Sequence, residues 1–149
     1  MTTSTPSITP FLWFDNNALE AAKFYCSIFP GSKVISESPV VFELQGHRYL
    51  GFDGGPHFKF NEAFSLFVDV KTQEEVDTLW EKLLAGGGTP SRCGWLKDRF
   101  GLSWQIIPEA LPRLMNDKDP KKAKAVVDAM MTMSKIDIQG LQKAWDSVA

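Results

Sequence analysis

The pattern of apolar and polar positions switches from period two to a helical period and back, and this succession occurs twice. Residues 8–14, ITPFLWF, are β-branched and aromatic and predict a strand, with Pro10 marking an edge or a strand start. In DNNALEAAKFYCSIFPGS, Asp15 or Asn17 can cap a helix over about 18–28. Ala18, Ala22, Tyr25 and Phe29 then share a face, with Ala21, Phe24 and Ile28 beside them, and Pro30-Gly31 ends the helix. KVISES, VVFELQ and RYLGFD follow as short strands, and Gly46-His47 suggests the hairpin turn between the last two.

After Gly54-Gly55-Pro56 the pattern restarts. AFSLFVDV, residues 63–70, alternates, with Phe64, Leu66 and Val68 on one face and Ala63, Ser65 and Phe67 on the other. Thr72 to Glu75 reads as a capping box, opening a helix whose Val76, Leu79, Trp80 and Leu83 keep helical spacing. Gly86-Gly87-Gly88 closes it, and strands are expected near 89–95 and 102–107, with a tight turn at Lys97–Gly101. The repeat offset is about 55 residues. One such unit alone exposes an apolar sheet face, so two copies are expected to share a core or cleft.

The last stretch changes character. LPRLMND, PKKAKAVVDAMMTM and IQGLQKAW predict short helices, the middle one opened by Asp119-Pro120 and striped by Val126, Val127, Met130 and Met133. Met130, Met131 and Met133 suit an adaptable groove, or a helix packed on the main domain or on a dimer mate.

Composition narrows the classes. The 149 residues fit a single domain spanning the whole chain: module one at about 8–56, module two at about 63–108 and a helical tail over 109–149. Apolar residues at 44%, charged residues at 23% and a net charge of −2 describe an ordinary globular chain, with no basic face for nucleic acid. Cys26 and Cys93 match no metal or redox spacing and are expected as free thiols. MTTSTPS does not read as a signal peptide, and no apolar run has membrane-spanning length, so a cytoplasmic protein with no membrane partner is expected. His47 fits an exposed turn residue. His57 fits a linker residue bonded to backbone or a general base, with Lys59 a solvated or rim charge. No serine or cysteine stands at a recognisable spacing from a histidine, so no catalytic residue is assigned.

ITPFLWF, FYCSIFPGS, FELQGHRYLGFDGGPHFKF, CGWLKDRFGLSWQIIP and VVDAMMTMSKIDIQGLQKA together resemble the PhnB-like family, from about Ile8 to Ala144. That family, often labelled 3-demethylubiquinone-9 3-methyltransferase, is a branch of the glyoxalase, bleomycin-resistance and extradiol-dioxygenase (vicinal oxygen chelate) superfamily. The resemblance implies an α+β fold of two βαβββ modules forming a cupped mixed sheet, usually in a homodimer. It also implies a place for the chemistry. Metal-using relatives place their ligands on the first and last strands of the two modules, facing into the cup. Here the histidine positions fall near Ile8 and Ala63, and the last glutamate is Gln105. Asp53 is the one anionic donor left, so neither a metal nor a cofactor is expected. The methyltransferase label finds no support in a glycine-rich strand-to-helix loop, since Gly86–Gly88 end a helix.

Period-two alternation then places the cup residues. With Phe11 and Trp13 taken to pack under the first helix, Ile8, Pro10 and Leu12 face the cup. Tyr49, Gly51 and Asp53 share a face on the fourth strand; Ser65 and Phe67, then Ser103, Gln105 and Ile107, share one in the second module. Trp104 is expected in the core, while Trp95 fits either core or a flat pocket wall. The expected ligand-binding set is Leu12, Tyr49, Asp53, Ser65, Phe67, Trp95, Ser103 and Gln105. The leading functional reading is a metal-free cup for a small organic molecule, closer to the bleomycin-binding relatives than to the enzymes. The alternatives are a metal-assisted lyase or dioxygenase using Asp53 and Gln105, the methyltransferase of the label, or a structural dimer without ligand.

Overall fold

The computed structural model describes residues 5–149; the first four, part of the MTTSTPS stretch read above, lie outside the described residues. The chain divides into two compact units, Met1–Lys59 and Phe60–Ala149. The fold is α+β, with one βαβββ module in each unit and a helical tail attached to the second.

In the first unit, β1 (Phe11–Phe14) leads into α1 (Ala18–Ile28), then β2 (Lys33–Glu37), β3 (Val40–Leu44) and β4 (His47–Asp53). The sheet order is β1-β4-β3-β2, with β1 parallel to β4 and the other pairs antiparallel. The hairpin between β3 and β4 turns at Gln45-Gly46, one residue before the expected pair, and His47 begins β4. Both turn residues are left-handed, at φ 52° and 86°, the conformation a two-residue primed turn requires. The cap of α1 also differs from expectation. Asn17 precedes the helix without a side-chain cap bond, and Asp53 Oδ1, brought from 35 residues away by β4, accepts the Ala18 N–H at 2.8 Å.

That contact exposes a correction in strand parity. Leu12 and Phe14, not Phe11 and Trp13, lie buried against α1, together with Val40, Phe42 and Leu44. Leu12 pairs with Gly51, and a Cβ on Gly51 would stand 3.3 Å from the Ala18 Cβ, which fixes this side of the sheet as the helix side. Tyr49 stacks on buried Phe42 at 5.3 Å, on the same side. Leu12, Tyr49 and Asp53 are therefore turned toward α1. Two physical reasons account for it. The buried face of α1 carries Ala18, Ala21 and Ala22 along its first turns, so the helix sits close to the sheet there. The Trp13 indole N–H needs an acceptor, and it finds the Gly55 carbonyl at 2.9 Å on the other face.

In the second unit, β5 (Ser65–Val70), α2 (Gln73–Leu84), β6 (Thr89–Pro90), β7 (Trp95–Lys97) and β8 (Ser103–Pro108) form a sheet of order β5-β8-β7-β6. The pairing repeats that of the first sheet, with β5 parallel to β8. The strand expected over 89–95 is split by residues 91–94, where Cys93 and Gly94 take φ of 57° and 87°. Thr72 caps α2 as expected, its hydroxyl accepting the Glu75 N–H at 3.1 Å. Val76, Trp80 and Leu83 are buried, and α2 packs on β7 and β8, whose Leu96, Trp104 and Ile106 are buried too. Trp104 is core, as expected.

The tail comprises α3 (Ala110–Met115), α4 (Pro120–Met130) and α5 (Ile138–Asp146). It is bonded into the second unit. The Cys93 N–H donates to Met133 O at 2.9 Å, and the Gly94 N–H to Ser134 O at 2.8 Å. The Gln73 amide grips the chain on either side of Asp137, donating to Ile136 O at 3.0 Å and accepting from Ile138 N at 2.8 Å. Ala110, Leu111, Leu114, Val126, Ile136 and Leu141 form an apolar cluster that also includes Ile107 of β8. Among the described residues no helix is long and apolar enough to cross a membrane.

Candidate functional site

The face of the second sheet turned away from α2 carries two short rows of side chains. Cα register sets Phe67, Gln105 and Trp95 side by side across β5, β8 and β7, and sets Ser65, Ser103 and Lys97 beside them. Directly paired residues point to the same face, so five members of the expected set, Ser65, Phe67, Trp95, Ser103 and Gln105, share this surface. Ile107, next along β8 with the same parity, is closed off by the tail cluster. The tail therefore covers one end of the face and leaves the end around Gln105 and Ser103 uncovered by it.

Gln105 is half-buried, and its Nε2 donates to Ser65 Oγ at 3.0 Å. Phe67 is 58% exposed, an unusual state for a phenyl ring in a strand interior. Ser103 presents the sharper anomaly. It is 1% exposed, and its hydroxyl has no hydrogen-bond partner among the described residues, while Ser65 across the ladder is engaged by Gln105. Buried hydroxyls are normally satisfied, and leaving one unpaired costs about 1–3 kcal/mol. Ser103 lines a recess of about 250 Å³ with Trp95, Leu96, Lys97, Thr89, Pro90, Ser91 and Glu62. Lys97 is ion-paired there to Glu62, and that ammonium holds the Glu62 carboxyl below its ordinary range.

A buried carboxylate fixes this geometry from behind. Asp98 Oδ1 accepts from Phe100 N at 2.8 Å and Leu102 N at 3.1 Å, and Oδ2 accepts from Trp104 Nε1 at 2.9 Å. It closes the turn between β7 and β8, so it sets Lys97 against Ser103. Asp98, Lys97 and Glu62 are absent from the set expected from the sequence, where Lys97 stands only as the start of a turn. Lys97 had a signal, since parity places it on the face of Trp95; Glu62 had none.

The other expected residues lie elsewhere. Leu12, Tyr49 and Asp53 belong to the helix-facing side of the first sheet. Burial pushes the Tyr49 phenol up from its usual range. The opposite face of that sheet is aromatic: Trp13 meets Phe52 and Phe58 edge-on at 5.0 Å each, and Phe52 lies 5.6 Å from Phe11. A Cβ on Gly54 would stand 2.2 Å from the Trp13 ring, so the glycine is required by close approach. Gly54, Gly55 and Phe58 thus enclose the Trp13 indole. His57 is exposed in that segment, and Lys59 is exposed at its end.

A protein-family model described as 3-demethylubiquinone-9 3-methyltransferase matches residues 6–107. The chain belongs to that family. It is PhnB-like, as a solved relative of the same description shows. Among solved structures, the PhnB protein from Bacillus cereus is similar at 32% identity and a TM-score of 0.62, covering 69% of this chain and 99% of its own. A protein from Pseudomonas aeruginosa shares the fold at 20% identity and a TM-score of 0.53, covering 67% of this chain and 95% of its own. One from Staphylococcus aureus does so at 20% identity and 0.51, covering 68% and 92%. No curated protein matches the chain. The family match ends at the last strand, so the tail lies outside it, although the resemblance in sequence was read through Ala144.

Neither cofactor implied by kinship fits the residues of this PhnB-like chain. Asp53 spends a carboxylate oxygen on α1, and Gln105 bonds Ser65. Among the described residues no three of His, Cys, Asp and Glu are grouped to hold a metal ion. The strand-to-helix connections, Asp15-Asn16-Asn17 and Lys71-Thr72, contain no glycine, and Gly86–Gly88 follow the C-terminal end of α2. That end presents carbonyls rather than N–H groups, the wrong pole for a nucleotide-like cofactor.

Proposed function

We propose that this PhnB-like protein binds a small organic molecule on the uncovered face of its second module, without a metal ion. The orphaned Ser103 hydroxyl, buried beside Trp95 in a recess, carries the reading. A buried donor that the fold leaves unsatisfied is stabilised by a ligand that supplies its partner. Phe67 and Trp95 provide apolar walls, and Gln105 between them offers an amide that orients polar groups. The resemblance to a superfamily that contains bleomycin-resistance proteins agrees with binding, but kinship of fold does not carry an activity. A homodimer is part of the proposal, since Phe11, Phe52 and Phe58 are large exposed apolar groups. The free thiols at Cys26 and Cys93 suit a reducing, cytoplasmic setting.

The test is a thermal-shift screen of small metabolites on full-length protein, with each hit repeated on Trp95→Phe, Gln105→Glu and Ser103→Ala. Hits are expected to weaken in all three. Replacing the amide by a carboxylate removes a donor and should cost about 1–3 kcal/mol for a ligand held by it. Gln105→Glu is not expected to create metal-dependent activity. Hits indifferent to all three changes would move the site elsewhere. One divalent ion per chain in protein purified without chelator, and lost in Gln105→Ala, would contradict the metal-free reading.

A further inference from the structure

The recess also bears on the class of molecule, an inference that rests on the binding reading above. Among the described residues lining it, Lys97 is the one cation and Glu62 the one anion, and they are paired. Glu62 belongs to the segment just before β5, and its side chain is 64% exposed. Its carboxylate is thus a solvent-exposed group resting on an ammonium that β7 holds in place. Lys97 is also the direct ladder partner of Ser103. An ammonium and an unsatisfied hydroxyl therefore neighbour each other on one face, with Trp95 two residues from Lys97 on the same strand and face.

We propose that the recess takes a small, flat organic carboxylate, whose acid group replaces Glu62 on Lys97 and receives the Ser103 hydroxyl while Trp95 covers its body. Glu62 is the stand-in for that acid group within the chain itself. Three observations favour a carboxylate over a larger or more highly charged anion. One ammonium balances one negative charge. The intramolecular occupant is itself a carboxylate. The volume of about 250 Å³ lies below the roughly 300–1,000 Å³ of sites for drug-sized ligands, so the molecule is small. Exchange costs little, because exposed ion pairs of this kind are weak.

Calorimetric titration of full-length protein with benzoate and with its neutral counterpart benzamide decides the matter. Glu62→Gln is expected to tighten benzoate about three- to tenfold, by freeing Lys97 and removing a repelling carboxylate, and to leave benzamide unchanged. Lys97→Met is expected to abolish benzoate binding, and Ser103→Ala to weaken it. Benzoate binding that is absent, or that Glu62→Gln leaves unchanged or weaker, overturns the carboxylate assignment. If benzamide binds with dependence on Trp95 while benzoate does not, the assignment falls and the binding reading stands. If neither probe binds and the metabolite screen is blank, both fall.

Discussion

Asp98 shows how much can rest on one side chain. It is 3% exposed, and backbone N–H groups and the Trp104 indole satisfy its carboxylate. Asp98→Ala should lower unfolding stability in urea by about 3 kcal/mol, since charged acceptors contribute more than neutral ones and their donors would be left buried. The same variant should impair any ligand of the recess, because the turn that aligns Lys97 with Ser103 is released. A stability loss below 1 kcal/mol would mean that the turn holds without it. At this scale the sequence was legible only where parity was anchored. Gln105 alternates with Leu102, Trp104 and Ile106, too apolar to face anything but the helix, and its orientation followed. In β1, four consecutive apolar residues offered no such anchor, and the parity of Leu12 came out reversed.

Among elements, the two helices begin by different means. The cap of α2 is local: Thr72 accepts from Glu75 N. Thr72→Ala should cost about 1 kcal/mol, the usual size of a lost cap. That of α1 is supplied from β4 through Asp53. Asp53→Ala should therefore destabilise the protein by about 0.5–2 kcal/mol, and Asn17→Ala should be close to neutral, by chemical denaturation of both variants. If the Asn17 variant proves the more damaging, the local cap matters after all. A capping box is visible in four residues of sequence, whereas a cap crossing 35 residues exists only once β1 and β4 have paired.

At the scale of the whole second unit, the tail behaves as part of the module. Ile136 is fully buried in the cluster that includes Ile107, and Gln73 of α2 bonds the backbone on either side of Asp137. Ile136→Ala should cost about 2–5 kcal/mol by cavity formation, and should lower the melting temperature of the sheet and the tail together. Charge adds a pH-dependent contribution. The Lys135 ammonium, then the Gln73 amide, hold the Asp77 carboxyl below its ordinary 3.8. The unfolded chain thus binds this proton more readily than the folded one. The stabilisation is present above pH 3.8 and is lost as pH falls through the lower folded value. Lys135→Ala should weaken the acid limb of a stability–pH curve, read by urea denaturation between about pH 2 and pH 6. An unaltered acid limb would show that the exposed pair is screened out.

The sequence by itself determined most of the elements, their double succession and which residues share the outward face of the second sheet. Each of these is encoded locally, in helical spacing from Val76 to Leu83, in the turn glycines, and in the alternation of polar and apolar residues along β8. Tertiary structure decided the rest. Whether Phe11 or Leu12 lies under α1 depends on how closely the alanines of its first turns approach the sheet and where an indole N–H finds its carbonyl. The pairing of Lys97 with Glu62 joins residues 35 positions apart, and the Ser103 hydroxyl is buried without a partner although Ser65 stands across the ladder from it. Such relations are properties of distance and exclusion of water, and no local pattern along the chain records them.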